Sequence, residues 1–154
     1  HRDREKPFFL FNVTIQNHGG YYHEIDTPIK LEKVGNTVKD DYEFLCGAET
    51  YLNAIKVTDE AFEDFLAYFA KVAEPTIICM FGDHQPLLGD DFYQAVFEDS
   101  GLSEEEQNAK KFITPYIIWS NYDRDYPEYG DMSSNYLGAA VLECARIELP
   151  PYYK

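Results

Sequence analysis

The chain has 154 residues, 45% of them hydrophobic and 16% aromatic, enough apolar material for one core of ordinary size, which excludes a disordered or collagen-like segment. Its 28 acidic and 13 basic residues leave a formal charge of −15; such a surface repels phosphate backbones and carries no basic stripe, so nucleic acid and anionic lipid are excluded as partners. No apolar run reaches the length of a membrane span, and the chain opens on His1 without a signal peptide, as an excised, soluble piece of something longer would.

Residues 1–154 are expected to form a single domain. The first ordered element is Phe8-Phe9-Leu10-Phe11-Asn12-Val13-Thr14-Ile15, nearly continuous in apolar and β-favouring residues, as in a central strand covered on both faces. It runs into the loop signal Gln16-Asn17-His18-Gly19-Gly20. After a polar, irregular stretch through about residue 40, apolar residues from Phe44 to Phe69 recur at three- and four-residue spacing, the pattern of one long amphipathic helix with its aromatics in the core. Pro75 closes it.

Thr76 to Phe81 reads as a second buried strand. A helix between two strands in sequence order predicts a parallel βαβ unit with right-handed crossover. Asp91 to Glu98 and Ser103 to Lys111 read as short helices, the second opened by a capping box of Ser103 with Glu106. Thr114 to Ser120 is a third strand with Pro115 near its start. Asn121 to Met132 is a Tyr-, Asp-, Pro- and Gly-rich loop, and Ser133 or Ser134 caps a last helix through about Arg146. The tail Leu149-Pro150-Pro151-Tyr152-Tyr153-Lys154 cannot continue it. Cys46, Cys79 and Cys144 are odd in number, lack CxxC spacing and lie in apolar segments; they read as buried free thiols.

Chemistry concentrates at Gly82-Asp83-His84, where the second strand ends abruptly in polar residues. A buried strand holds the backbone rigid, Gly82 removes bulk, and a carboxylate and an imidazole project together, as metal ligands do at the carboxyl end of a strand in an α/β sheet. The plain alternative is an Asp capping the next turn beside a surface His. His18 stands at the end of the first predicted strand, where parallel strands would bring it into the same crevice; its plain alternative is a loop histidine on a glycine turn. His1 and His23 lack such context and are read as solvent-exposed.

The run Pro7 to Tyr21, the long helix and Met80-Phe81-Gly82-Asp83-His84 together resemble, in order and spacing, the carboxyl-terminal part of the lipoteichoic acid synthase-like sulfatase family of the alkaline phosphatase superfamily. Ser133-Ser134-Asn135-Tyr136-Leu137 before the closing helix also looks like that family's carboxyl end. The resemblance covers nearly the whole chain. It implies an α/β fold with a mostly parallel sheet flanked by helices, incomplete because the amino-terminal half is absent. It also implies a catalytic, substrate-binding role for His18 at a phosphate or sulfate group, and places a catalytic divalent metal (Mn, Zn or Mg) on Asp83 and His84, with the rest of the site outside the chain.

Family members use a threonine nucleophile, or in true sulfatases a modified cysteine or serine, plus an acidic metal ligand, all placed amino-terminal to the segment present here. None of the three cysteines stands in a Cys-x-Pro-x-Arg context. Gln85 follows Asp-His where many relatives have other residues. The implied parent is a metal-dependent phosphoglycerol transferase or sulfatase-like hydrolase acting on phosphate or sulfate esters of the bacterial cell envelope. It would be membrane-anchored, with this domain on the extracellular face. The expected partners are that ester substrate, the amino-terminal half of the catalytic domain and, through uncovered apolar surface, a second copy. A reading from another class stays open: a non-catalytic α/β module that binds an envelope glycan or a protein partner.

Overall fold

The computed structural model describes residues 7–21, 28–38, 42–123, 127 and 129–153, with the backbone alone for 37, 38 and 42–44. His1, His23 and parts of the 121–132 loop lie outside the described residues. The chain forms two compact units, His1–Thr58 with Pro86–Glu98, and Asp59–Gln85 with Asp99–Lys154.

In the first unit, the start of helix α1 (Tyr42–Phe69) supplies Leu45, Ala48 and Ala54 to a core shared with Tyr21 and with Ala95 of helix α2 (Asp90–Phe97). Small residues let neighbouring chain approach α1 closely, and buried polar groups secure it. Asn53, 2% exposed, accepts from Ile29 N (3.2 Å) and donates to Ile29 O (3.1 Å) and Glu49 O (2.8 Å). Glu49 accepts from Leu31 N at 2.7 Å. The stretch 29–31 thus meets a side-chain version of a strand neighbour, which satisfies its backbone where no sheet does.

The stretch read as irregular then makes a hairpin, β1 (Lys33–Val34) with β2 (Thr37–Val38). Gly35-Asn36 is the turn, with Gly35 at φ 56°, the left-handed conformation that two-residue hairpin turns demand. A Cβ on Gly35 would also collide with the Ala95 carbonyl oxygen. Asn-Gly in either order between β-favouring residues was the sequence signal for this turn.

In the second unit, β3 (Ile77–Phe81) pairs antiparallel with β4 (Tyr116–Ser120), Ile77 opposite Ser120 and Phe81 opposite Tyr116. Helix α3 (Glu104–Lys110) begins with the predicted capping box, Ser103 Oγ accepting from Glu106 N while Glu106 accepts from Ser103 N. Helix α4 (Leu137–Cys144) follows one 3₁₀ turn, Ser134–Tyr136, and buries Leu137, Ala140 and Cys144. It stops two residues before the predicted Arg146. That residue takes φ 52°, while Arg146 N donates to Glu143 O and Ile147 N to Leu142 O; this is a Schellman stop with arginine in glycine's usual place. None of the three cysteines forms a disulfide, and Cys144 is the fully buried one.

Two expectations are corrected. The α/β character holds, but both strand pairs among the described residues are antiparallel, and residues 7–15 enter neither. Phe9, Val13 and Ile15 are 83%, 71% and 75% exposed. Apolar, β-branched composition reports how well a segment would suit a sheet interior; a ladder partner makes it a strand, and composition does not name one. The parallel βαβ unit is therefore absent among the described residues. Likewise the aromatics of α1 are not all core: Phe65 is 47% and Tyr68 66% exposed, because a helical stripe shows which face is apolar and not what covers it.

Candidate functional site

The loop after β3 is fastened at both ends to the residues that lead into β4. On one side Gly82 N donates to Pro115 O at 3.0 Å. On the other, the Gln85 side-chain amide donates to Ile113 O. Between the two clamps stand Asp83 and His84, whose side chains are 78% and 67% exposed. The sequence reading of Gly82 is confirmed in its physical reason: a Cβ there would lie 3.2 Å from Thr114 Cβ and 3.5 Å from its Cγ2. Thr114 cannot yield without moving its own backbone. Gly82→Ala is therefore expected to destabilise the second unit by about 1 kcal/mol and to shift the amide resonances of Asp83 and His84, which backbone NMR and urea titration would read; unchanged resonances would mean that the loop has room to spare.

The Asp-His pair is locally ordered. Asp83 Oδ1 accepts from His84 N at 3.0 Å, so the plain reading of Asp83 as a local cap is also realised. His84 Nδ1 lies 2.8 Å from Gln85 O. A carbonyl only accepts, so Nδ1 carries the proton of that bond and, in the neutral ring, Nε2 keeps the lone pair. Nε2 then faces Asp83 Oδ2 at 3.6 Å. Two lone-pair donors set facing each other suit a cation between them. In a tetrahedral zinc site, bonds of about 2.1 Å separate two ligand atoms by roughly 3.4 Å, close to the 3.6 Å between this pair. No further His, Cys, Asp or Glu completes a metal-holding group among the described residues.

His18 is placed in the first unit by a different device. Its N–H donates to Ile15 O at 3.0 Å, closing a turn. Next to it Asn17 is held twice, its Oδ1 accepting from Thr58 Oγ1 at 2.8 Å and its carbonyl from Tyr21 Oη at 2.7 Å. Tyr21 is 8% exposed and stacks edge-on against Tyr51 at 5.6 Å; burial first, then the neighbouring tyrosines 51 and 93, push its hydroxyl pKa up. His18 itself is exposed on this anchored loop. Sequence reasoning missed Asn17, Tyr21 and Thr58 as the anchors of His18, and Ile113 as that of Gln85. Only the aromatic directly after Gly19-Gly20 gave a hint of them. The structure brings Asp83 and His84 together; His18 belongs to the other unit.

Strand β3 thus ends in a clamped, exposed carboxylate-imidazole pair. The chain matches the sulfatase family over residues 1–147 and belongs to that family, whose domain is α/β and alkaline phosphatase-like and whose enzymes generally use a metal ion. It is 29% identical over 153 residues to a protein of Rhizobium meliloti (strain 1021) named "Putative cyclic beta-1,2-glucan modification protein". The match covers 96% of this chain and 23% of that protein's length. No solved structure matches the chain significantly. No helix among the described residues is long and apolar enough to cross a membrane.

Proposed function

We propose that this chain is the carboxyl-terminal part of the catalytic domain of a metal-dependent, outward-facing envelope enzyme, a phosphoglycerol transferase or sulfatase-like hydrolase that acts on phosphate or sulfate esters. The observation that carries the reading is the clamped pair, Asp83 Oδ2 and His84 Nε2 at 3.6 Å, in a chain of the sulfatase family. Asp83 and His84 would hold a divalent cation, manganese, zinc or magnesium. When bound, the ion would neutralise charge on the transferring group and lower the pKa of the attacking group. His18, on its anchored turn, would donate a hydrogen bond to a non-bridging ester oxygen or protonate the leaving alkoxide. The nucleophile and the remaining ligands would come from the longer protein to which we assign this segment. The exposed apolar residues of 8–15 would there be covered; in the isolated chain they favour self-association.

The test has two arms. In the longer protein, Asp83→Ala and His84→Ala should each lower turnover of a phosphodiester or sulfate ester by about 10³-fold, the several kcal/mol that a charge-neutralising ion supplies, and should lower its bound metal. The isolated chain should turn over no nitrophenyl phosphate, phosphodiester or sulfate. Turnover by the isolated chain that disappears in Asp83→Ala would place the nucleophile within these 154 residues and overturn the division of labour proposed. A second reading draws on an open groove of about 390 Å³ in the second unit, lined by Tyr116, Ile118, Pro127, Tyr129, Gly130 and Asp131, aromatic and carboxylate residue types that suit a sugar. Glycan binding by the isolated chain, together with full activity of Asp83→Ala in the longer protein, would favour a binding module instead.

A further inference from the structure

Gln85 does two things at once, and neither is explained by its own exposure. Its side-chain amide donates to Ile113 O, on the segment that leads into β4. Its main-chain carbonyl accepts from His84 Nδ1 at 2.8 Å. The first contact settles where the peptide between Gln85 and Pro86 lies; the second uses that peptide to choose which ring nitrogen of His84 carries a proton. Pro86 adds to this restriction, since a residue before proline is confined to extended backbone.

Resting on the metal-site reading above, we propose that Gln85 is a positioning residue: it holds His84 in the Nδ1–H tautomer, so that Nε2 is turned, lone pair outward, toward Asp83 Oδ2 and a divalent ion. The physical basis is general. A ligating imidazole is useful only when its other nitrogen is occupied by a fixed acceptor, which sets tautomer and ring orientation together. Here the acceptor is a backbone carbonyl in a loop with exposed side chains, and a free loop carbonyl would not stay in place. Two clamps keep it there. Gly82 N to Pro115 O fixes the amino side of the loop, and the Gln85 amide fixes the carboxyl side. Only a residue with a long side chain and a donor at its end reaches back to the Ile113 carbonyl. Glutamate has the same reach and no proton to give. Lysine keeps a donor at similar reach.

The experiment reads the tautomer directly, without turnover. Long-range proton–nitrogen correlation NMR on the full 154-residue chain, at a pH where the rings are neutral, assigns the proton of His84 to one nitrogen. In the wild-type chain the Nδ1–H form is expected to dominate. In Gln85→Glu it should give way to a mixture with the Nε2–H form, and in Gln85→Lys it should be retained. Manganese added to the same samples should broaden the Asp83 and His84 resonances, with apparent affinity about 10- to 100-fold lower in Gln85→Glu than in wild type. A wild-type His84 in the Nε2–H form overturns the proposal, as does a tautomer unchanged in a folded Gln85→Glu chain. Manganese that leaves wild-type Asp83 and His84 sharp would instead sink the metal-site reading, while the tautomer comparison still decides what Gln85 does.

Discussion

Replacing Asn121 with alanine is expected to lower the stability of the second unit by about 3 kcal/mol, the loss on removing a side chain that serves several part-buried backbone groups at once. Helix α1 ends with orphan carbonyls, as every helix does, and has no basic residue in its last turn to meet them. Backbone turns meet several of them, Leu66 O accepting from Ala70 N, Tyr68 O from Lys71 N and Phe69 O from Val72 N; Asn121 Nδ2 adds to these, lying 3.1 Å from Phe69 O and, past the helix, 2.9 Å from Val72 O and 2.9 Å from Glu74 O. Its Oδ1 accepts from Thr76 N at 2.8 Å, and its own N–H donates to Thr76 O at 3.2 Å. One side chain therefore joins the end of α1, the turn after it and the start of β3, the strand that carries Asp83 and His84. Urea unfolding followed by circular dichroism measures the effect as a lower midpoint at unchanged slope. Asn121→Asp separates the donors from the acceptor: a carboxylate keeps Oδ1 for Thr76 but turns a second acceptor toward three carbonyls, so it should be worse than alanine. An aspartate variant milder than the alanine one would show that the carbonyl contacts contribute little.

The second large effect is alkaline. Burial pushes up the hydroxyl pKa values of Tyr21, Tyr51 and Tyr93 in the first unit. Tyr129 in the second unit is pushed furthest, by burial and then by its 2.8 Å hydrogen bond to the Glu143 carboxylate. Each of these folded-state values lies above the unfolded value of about 10. Between the two, the folded chain holds protons that the unfolded chain has lost, so stability falls as pH rises. The contribution of these tyrosines is complete below about pH 10 and is lost progressively above it. Ellipticity should therefore collapse together with a cooperative rise in tyrosinate absorbance. Tyr129→Phe removes the group with the largest shift, and should move the collapse of the second unit to higher pH even though the Glu143 contact is lost. Smooth titration of all thirteen tyrosines near their ordinary pKa, with the fold intact, would contradict this account.

How much of this was legible beforehand depended on the range of the interaction involved. The 28 residues of α1 carried their own signal, since the apolar repeat and Pro75 act within a few turns of helix. The α3 capping box is complete within four residues, and its sequence named both partners correctly. Strands β3 and β4 could each be located from their apolar runs, but their antiparallel pairing could not, because a run of Ile, Cys, Met and Phe suits either ladder. Residues 8–15 mark the limit: their composition is that of a buried strand, and among the described residues they enter no sheet.

The same division holds for the candidate site. Local chemistry in the sequence was sufficient to single out Asp83 and His84: polar ligand-type residues directly after a glycine at the end of an apolar strand, with no partner further away needed to notice them. Only the tertiary structure decided that Pro115 and Ile113 clamp that loop from across the sheet, that Gln85 occupies Nδ1 of His84, and that Thr58 and Tyr21 anchor the turn of His18. The reason is physical. A residue's type limits which bonds it can make, whereas the choice of partner is made by chain closure over tens of residues, and an acceptor as common as a backbone carbonyl leaves no mark of that choice in the sequence.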